Sequence, residues 1–117
     1  MSQESRIFTR LPFDSAVEWR DLTGEDGHAA VRDVSRGGFR LSLGRYLRPG
    51  PVVTVTFDHI TFNGAPVELD AAVVWCKPTD QPDTFLAGLK IIHGGAATLA
   101  AASEVFYAAM DQRAVGA

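Results

Sequence analysis

The sequence predicts a small all-β domain: a six-stranded antiparallel barrel with one C-terminal helix. Three observations point there. The chain has 117 residues, one domain's worth. Six short runs with strand character are separated by turn-forming residues. After Gly94-Gly95 the apolar residues change to a helical period.

Ala16 to Arg20 is the first strand-like run and His28 to Arg32 the second, with Thr23-Gly24-Glu25-Asp26-Gly27 turning the chain between them. Phe39 to Leu43 alternates, with Phe39, Leu41 and Leu43 on one face and Arg40 and Ser42 on the other. Arg48-Pro49-Gly50-Pro51 breaks the chain before Val52 to Phe57, which is rich in Val and Thr as strands are. Asn63-Gly64 reads as a hairpin turn. In Val67 to Trp75, residues Val67, Leu69, Ala71, Val73 and Trp75 share the inward face, opposite Glu68 and Asp70. Trp75 is therefore expected inward, unless a bulge turns it out. Thr84 to Ile92 is the sixth run, after the Pro78–Asp83 loop.

From Ala96 to Met110, Leu99, Ala102, Phe106, Ala109 and Met110 recur at helical spacing and are read as the core-facing stripe of one helix. Closing six strands into a barrel leaves no unpaired edge, and the helix packs against it. The barrel and helix are placed at 13–112, with a tail at 113–117. Residues 1–12 carry no pattern of their own and are expected to form a flexible arm able to fold across a ligand.

Net charge is −3, which argues against bulk binding to nucleic acid or to an anionic membrane surface. Arginine is unevenly placed, however: eight of the nine lie in residues 1–48. Arg presents a planar fork of donors suited to phosphate and to base edges, which Lys does not. Arg20, Arg45, Arg48 and Arg113 are read as solvated surface charges. The single Cys76 can make no intramolecular disulfide, MSQESRIFTR lacks the apolar run of a signal peptide, and no segment approaches the ~20 apolar residues that span a bilayer. A cytoplasmic location without membrane insertion is expected.

Two short patterns carry chemistry. Asp33-Val34-Ser35-Arg36-Gly37-Gly38 joins two strand runs and reads as a hairpin connection, since Asp, Ser and Gly all favour turns. The same residues also suit an anion and purine site. An ionised Asp accepts hydrogen bonds from the N1–H and N2–H₂ edge of guanine, a Ser hydroxyl donates to a phosphate oxygen, and backbone N–H groups freed by glycine form a nest. Arg6 and Arg10, four apart, fall on one side of a helical or turn-like arm and can grip guanine or phosphate bidentately. A cyclic dimeric guanylate, with two guanines and two phosphodiester charges, needs arginine forks and a carboxylate together.

At these residues the sequence resembles the PilZ domain family, bacterial receptors for cyclic di-GMP. The family pattern is an RxxxR arm followed one hairpin later by [DN]xSxxG, and both occur in order, as Arg6-Ile7-Phe8-Thr9-Arg10 and Asp33-Val34-Ser35-Arg36-Gly37-Gly38. The similarity continues through Gly38-Phe39-Arg40-Leu41, Arg48-Pro49-Gly50, Val73-Val74-Trp75 and Gly88-Leu89-Lys90-Ile91, covering about residues 5 to 110. The resemblance implies a PilZ-like barrel with a C-terminal helix. It implies that Arg6 and Arg10 grip guanine and phosphate, and that Asp33, Ser35 and Gly38 fix a guanine and the backbone. Arg36, Gly37 and Trp75 are further candidates; in some relatives a Trp near the end of the fifth strand lines the site. Ser5 stands where relatives often carry an arginine or an apolar residue, a position that the resemblance ties to whether one ligand or a stacked pair is bound.

Other constellations are missing. His28, His59 and His93 are scattered without convergent partners, so no metal site is expected. Ser35 has no histidine placed to activate it, and no phosphate-binding GxxxxGK[ST] loop occurs. Cys76 is read as a packed or half-exposed thiol. The chain is expected to be no enzyme and to need no cofactor. The leading expectation is a cyclic di-GMP receptor that passes its signal to an unidentified downstream protein, in control of motility, adhesion or biofilm. The alternative is a PilZ-fold interaction module of pilus or flagellar machinery acting without ligand. A single-stranded nucleic-acid binder would need a basic groove with exposed aromatics, and the net charge opposes it.

Overall fold

The computed structural model describes residues 10–92 and 94–116. Six strands, β1 (Leu11–Asp21), β2 (Asp26–Val34), β3 (Gly38–Leu43), β4 (Val52–Phe62), β5 (Ala65–Pro78) and β6 (Phe85–Ile91), precede helix α1 (Ala96–Gly116). The strands close into one barrel in the order β1-β2-β3-β6-β5-β4, and every pairing is antiparallel. The predicted fold class is the observed one. β1 begins at Leu11, inside the segment assigned to the arm, and α1 runs to Gly116, through most of the segment assigned to a tail.

Inward positions fill the barrel with Val17, Val31, Val34, Phe39, Leu41, Val55, Phe57 and Leu69, all almost wholly buried. Phe39 and Phe57 meet edge to face at 5.5 Å, the favoured aromatic geometry. Type-I′-compatible backbone appears where the Asn63-Gly64 turn was read, with φ of 55° and 81°. Alternation is broken at four places: one extra residue enters a strand between Pro12 and Ser15, Val31 and Asp33, and Val73 and Trp75, and three enter β4 between Phe57 and Thr61.

Helix α1 packs on β1, β4, β5 and β2. Its buried residues are Ala101, Val105, Phe106 and Ala109, whereas Leu99 is 59% and Met110 44% exposed. Leu99 and Met110 of the expected stripe therefore face outward. The physical reason is that this helix carries apolar residues on every side. Ala101 and Ala109 let it approach the barrel wall closely, with Val105 and Phe106 buried beside them. Near the end of the helix, Gln112 clamps the β1 bulge: its Oε1 accepts from the Asp14 N–H and its Nε2 donates to the Asp14 carbonyl, both at 2.9 Å. The bulge withdraws Asp14 from the strand ladder, and one side-chain amide supplies both missing partners. The clamp holds α1 three residues from Leu11, where the chain enters from Arg10.

Replacing Gln112 with Ala leaves those two backbone groups to water and should lower unfolding free energy by about 1 kcal/mol, measured by urea denaturation. A loss below experimental error would show that the clamp contributes nothing.

Candidate functional site

The bulge in β2 sets the site. Val31 pairs with Leu41 and Asp33 with Arg40, so Arg32 is the extra residue. Strict alternation from buried Val31 would send Asp33 into the core. The bulge instead puts Arg32 and Asp33 on the outer wall together and returns Val34 to the interior. β5 repeats the device. Val73 pairs with Leu89 and Trp75 with Gly88, which leaves Val74 extra and 55% exposed, turns Trp75 outward and sends Cys76 toward the core. The expectation that Trp75 faces inward is corrected by that extra residue.

Asp33, Arg40, Gly88 and Trp75 consequently form one row of cross-strand partners over β2, β3, β6 and β5. Gly88 is there because a Cβ would overlap the Trp75 indole, which lies across β6 at that point. Lys77 Nζ stands 5.4 Å from the centre of the Trp75 ring.

Two arginines cover the Asp33 carboxylate, whose side chain is only 9% exposed. Arg10 Nη1 donates to Oδ1 at 2.5 Å. Arg40 forks across both oxygens, Nε to Oδ2 at 2.8 Å and to Oδ1 at 3.1 Å, and Nη2 to Oδ2. Burial pushes the Asp33 carboxyl up, but hydrogen bonds from Arg40 and then Arg10, reinforced by their charges, outweigh it and hold it below the ordinary carboxylate value. The same bond to Asp33 raises the Arg40 guanidinium. Asp33 is thus an ionised acceptor held on the outer wall by cations that remain about two-fifths exposed.

The turn after β2 serves structure. Ser35 N–H donates to the Gly38 carbonyl at 2.8 Å, its hydroxyl donates to the same oxygen at 3.3 Å, and Ile91 N–H donates to the Gly37 carbonyl at 2.8 Å. Gly38 has no room for a side chain, since a Cβ would collide with the Leu89 carbonyl oxygen. Gly37 borders open space. Arg36 turns toward α1, its guanidinium 5.7 Å from the Phe106 ring centre, rather than toward Asp33.

Of the residues singled out in the sequence, the structure brings Arg10, Asp33 and Trp75 onto one wall, places Ser35 and Gly37 in the adjoining turn and puts Gly38 at the start of β3. Arg6 and Ser5 lie outside the described residues. Arg40 and Gly88 were missed as site residues. Arg40 lies on the polar face of its strand two residues beyond Gly38, and a glycine within the strand-like run that holds Gly88 signals close approach of another group. Those were the available clues. Among the described residues no group of three or more His, Cys, Asp or Glu side chains could hold a metal, and no helix is long and apolar enough to cross a membrane.

A closed antiparallel barrel with a flanking helix and an arginine-capped aspartate on its outer wall defines a class, and the comparisons agree with it. The PilZ domain family model matches residues 4–104, and the chain belongs to that family. No curated protein matches in sequence. Among solved structures, the fold is similar to the PilZ domain of CeSA from a cellulose-synthesizing bacterium (15% identity, TM-score 0.64, covering 84% of this chain and 94% of that one). It is also similar to the PilZ domain of YcgR from Escherichia coli, solved with c-di-GMP (9%, 0.69, 89% and 90%). MrkH of K. pneumonia, solved as a c-di-GMP complex, matches at 10% identity and TM-score 0.69 over 92% of this chain, which spans about half of MrkH (53%).

Two measurements check this geometry. Gly38→Ala should destabilise the fold by about 1–3 kcal/mol through overpacking, while Gly37→Ala shifts the melting temperature little; equal shifts would refute the assigned collision. Because the folded Asp33 carboxyl titrates below its unfolded value, its ion pairs stabilise fully above about pH 4 and are lost as pH falls through the lower folded value. Melting temperatures across that window should therefore fall on acidification, and Asp33→Asn should flatten the fall. An unchanged slope in Asp33→Asn would locate the acid-sensitive group elsewhere.

Proposed function

We propose that this chain is a non-enzymatic receptor for cyclic di-GMP that conveys ligand occupancy to a partner protein from the cytoplasm. The observation that carries this reading is the Asp33 carboxylate, ionised and turned to the outer wall, with the fork of Arg40 and one N–H of Arg10 upon it and an indole in the same row. Guanine presents N1–H and N2–H₂ to a carboxylate and O6 and N7 to an arginine, and the phosphodiesters take the remaining guanidinium donors. Asp33 is the guanine-edge acceptor, Arg10 and Arg6 grip guanine and phosphate, and Trp75 offers a stacking face. Ser35, Gly37 and Gly38 shape the turn that sets Asp33, and Arg36 connects it to α1. Family membership supports the reading, as do similar folds solved with this ligand.

One observation favours a protein-contact role as well. Leu99, Tyr107 and Met110 of α1 are exposed apolar side chains, and with Arg36 they line a groove of about 260 Å³ beside the turn. A PilZ-fold module of pilus or flagellar machinery acting without ligand would use such a face.

Calorimetry tests the two. Cyclic di-GMP should bind in preference to GTP and cyclic GMP. Arg10→Ala and Asp33→Ala should each weaken it by roughly tenfold to a hundredfold, the equivalent of about 1–3 kcal/mol for a bidentate contact. No heat at protein concentrations of tens of micromolar would favour the ligand-free module.

A further inference from the structure

The fork that Arg40 makes on Asp33 has the donor pattern of the guanine edge. In both, two N–H donors on nitrogens joined through one sp² carbon face a single carboxylate; here Arg40 Nε reaches both Asp33 oxygens and Nη2 donates to Oδ2. Arg40 spans both oxygens of Asp33, whereas Arg10 touches Oδ1 alone through one nitrogen. A carboxylate has one bidentate face. With the Asp33 side chain 9% exposed and covered by these two guanidiniums, a guanine cannot seat its edge there while Arg40 does.

We propose that Arg40 is a built-in mimic of the guanine edge, an internal latch that occupies Asp33 in the free protein and is displaced when the ligand's guanine takes its place. This rests on the reading of Asp33 as the guanine acceptor. The latch is well suited to exchange. Arg40 keeps the buried charge compensated in the absence of ligand, so Asp33 can remain ionised on the wall at no cost of an unpaired buried charge. Its side chain is 37% exposed, so it can rotate without disturbing the core. Once released it lies beside Gly88 in the row that ends at Trp75, where a phosphodiester can take up its charge. Selectivity follows from the same exchange. Only a base edge with two adjacent donors replaces both of the Arg40 nitrogens that bond Asp33; adenine, with an acceptor at N1, cannot.

Arg40→Lys separates the latch from the charge, because an ammonium is a point donor and cannot form the coplanar fork. It should bind cyclic di-GMP roughly three- to tenfold more tightly than the unmodified protein, the factor by which a mostly closed latch weakens apparent affinity. Arg40→Gln, which also lacks the fork, should bind more tightly as well. In the unmodified protein, ¹⁵N NMR of the Arg40 Nε–H should show a protected resonance that shifts on saturation with cyclic di-GMP and stays in place with cyclic di-AMP. This readout decides the matter if the variants do not fold. Equal or weaker binding by folded Arg40→Lys, or an Arg40 resonance unmoved at saturation, overturns the latch while leaving the receptor reading intact. No binding by the unmodified protein or either variant overturns the receptor reading and the latch with it.

Discussion

A closed strand wall allows a side chain two directions, inward or outward, and alternation assigns them. Two extra residues, Arg32 in β2 and Val74 in β5, override that assignment. Each moves one consequential side chain, Asp33 or Trp75, from the core side to the outer side. Without the first bulge a carboxylate would enter a core built from Val, Leu and Phe, where an unpaired charge costs several kcal/mol. With it, the charge meets Arg10 and Arg40 at the surface of the barrel. The rest of the site depends on this exchange of a core position for a wall position.

The same economy appears at the helix. The β1 bulge near Asp14 frees a backbone N–H and carbonyl, and Gln112 of α1 answers both. That contact couples the end of the chain to the start of the described strand system, next to Arg10. Arg36 couples the other side, laying its guanidinium against Phe106 of α1 from the turn that follows Asp33. The helix is therefore attached both at the β1 bulge and at the turn that follows Asp33, which gives binding at Asp33 a physical route to the exposed apolar face of α1.

Identity to the similar folds is low, at 9–15% for the three structures named. A few positions account for why the architecture tolerates such divergence. Gly38 must lack a side chain because of a backbone carbonyl on β6, and Gly88 because of an indole from β5. Most inward positions require only an apolar residue of suitable volume, which many sequences supply.

Strand number, antiparallel class and the terminal helix were legible in the sequence because they follow from local periods and turn chemistry, in runs such as Phe39–Leu43 and the Asn63-Gly64 hairpin. Arg10, Asp33, Ser35 and Gly38 could be singled out as candidates because their motifs are contiguous, and the structure sets Arg10 on Asp33 with Ser35 and Gly38 beside it. The face of α1 was not legible: with apolar residues on every side, its period selects no direction, and only the barrel wall chose Ala101, Val105, Phe106 and Ala109 over Leu99 and Met110. Nor could alternation reveal that Trp75 points outward or that Arg40 forks onto Asp33. Those facts arise from pairing register between strands, a non-local property in which one unpaired residue reverses every direction after it. By itself the sequence determined which chemical groups are present and which elements carry them; the tertiary structure decided which side of the wall they occupy and which of them meet.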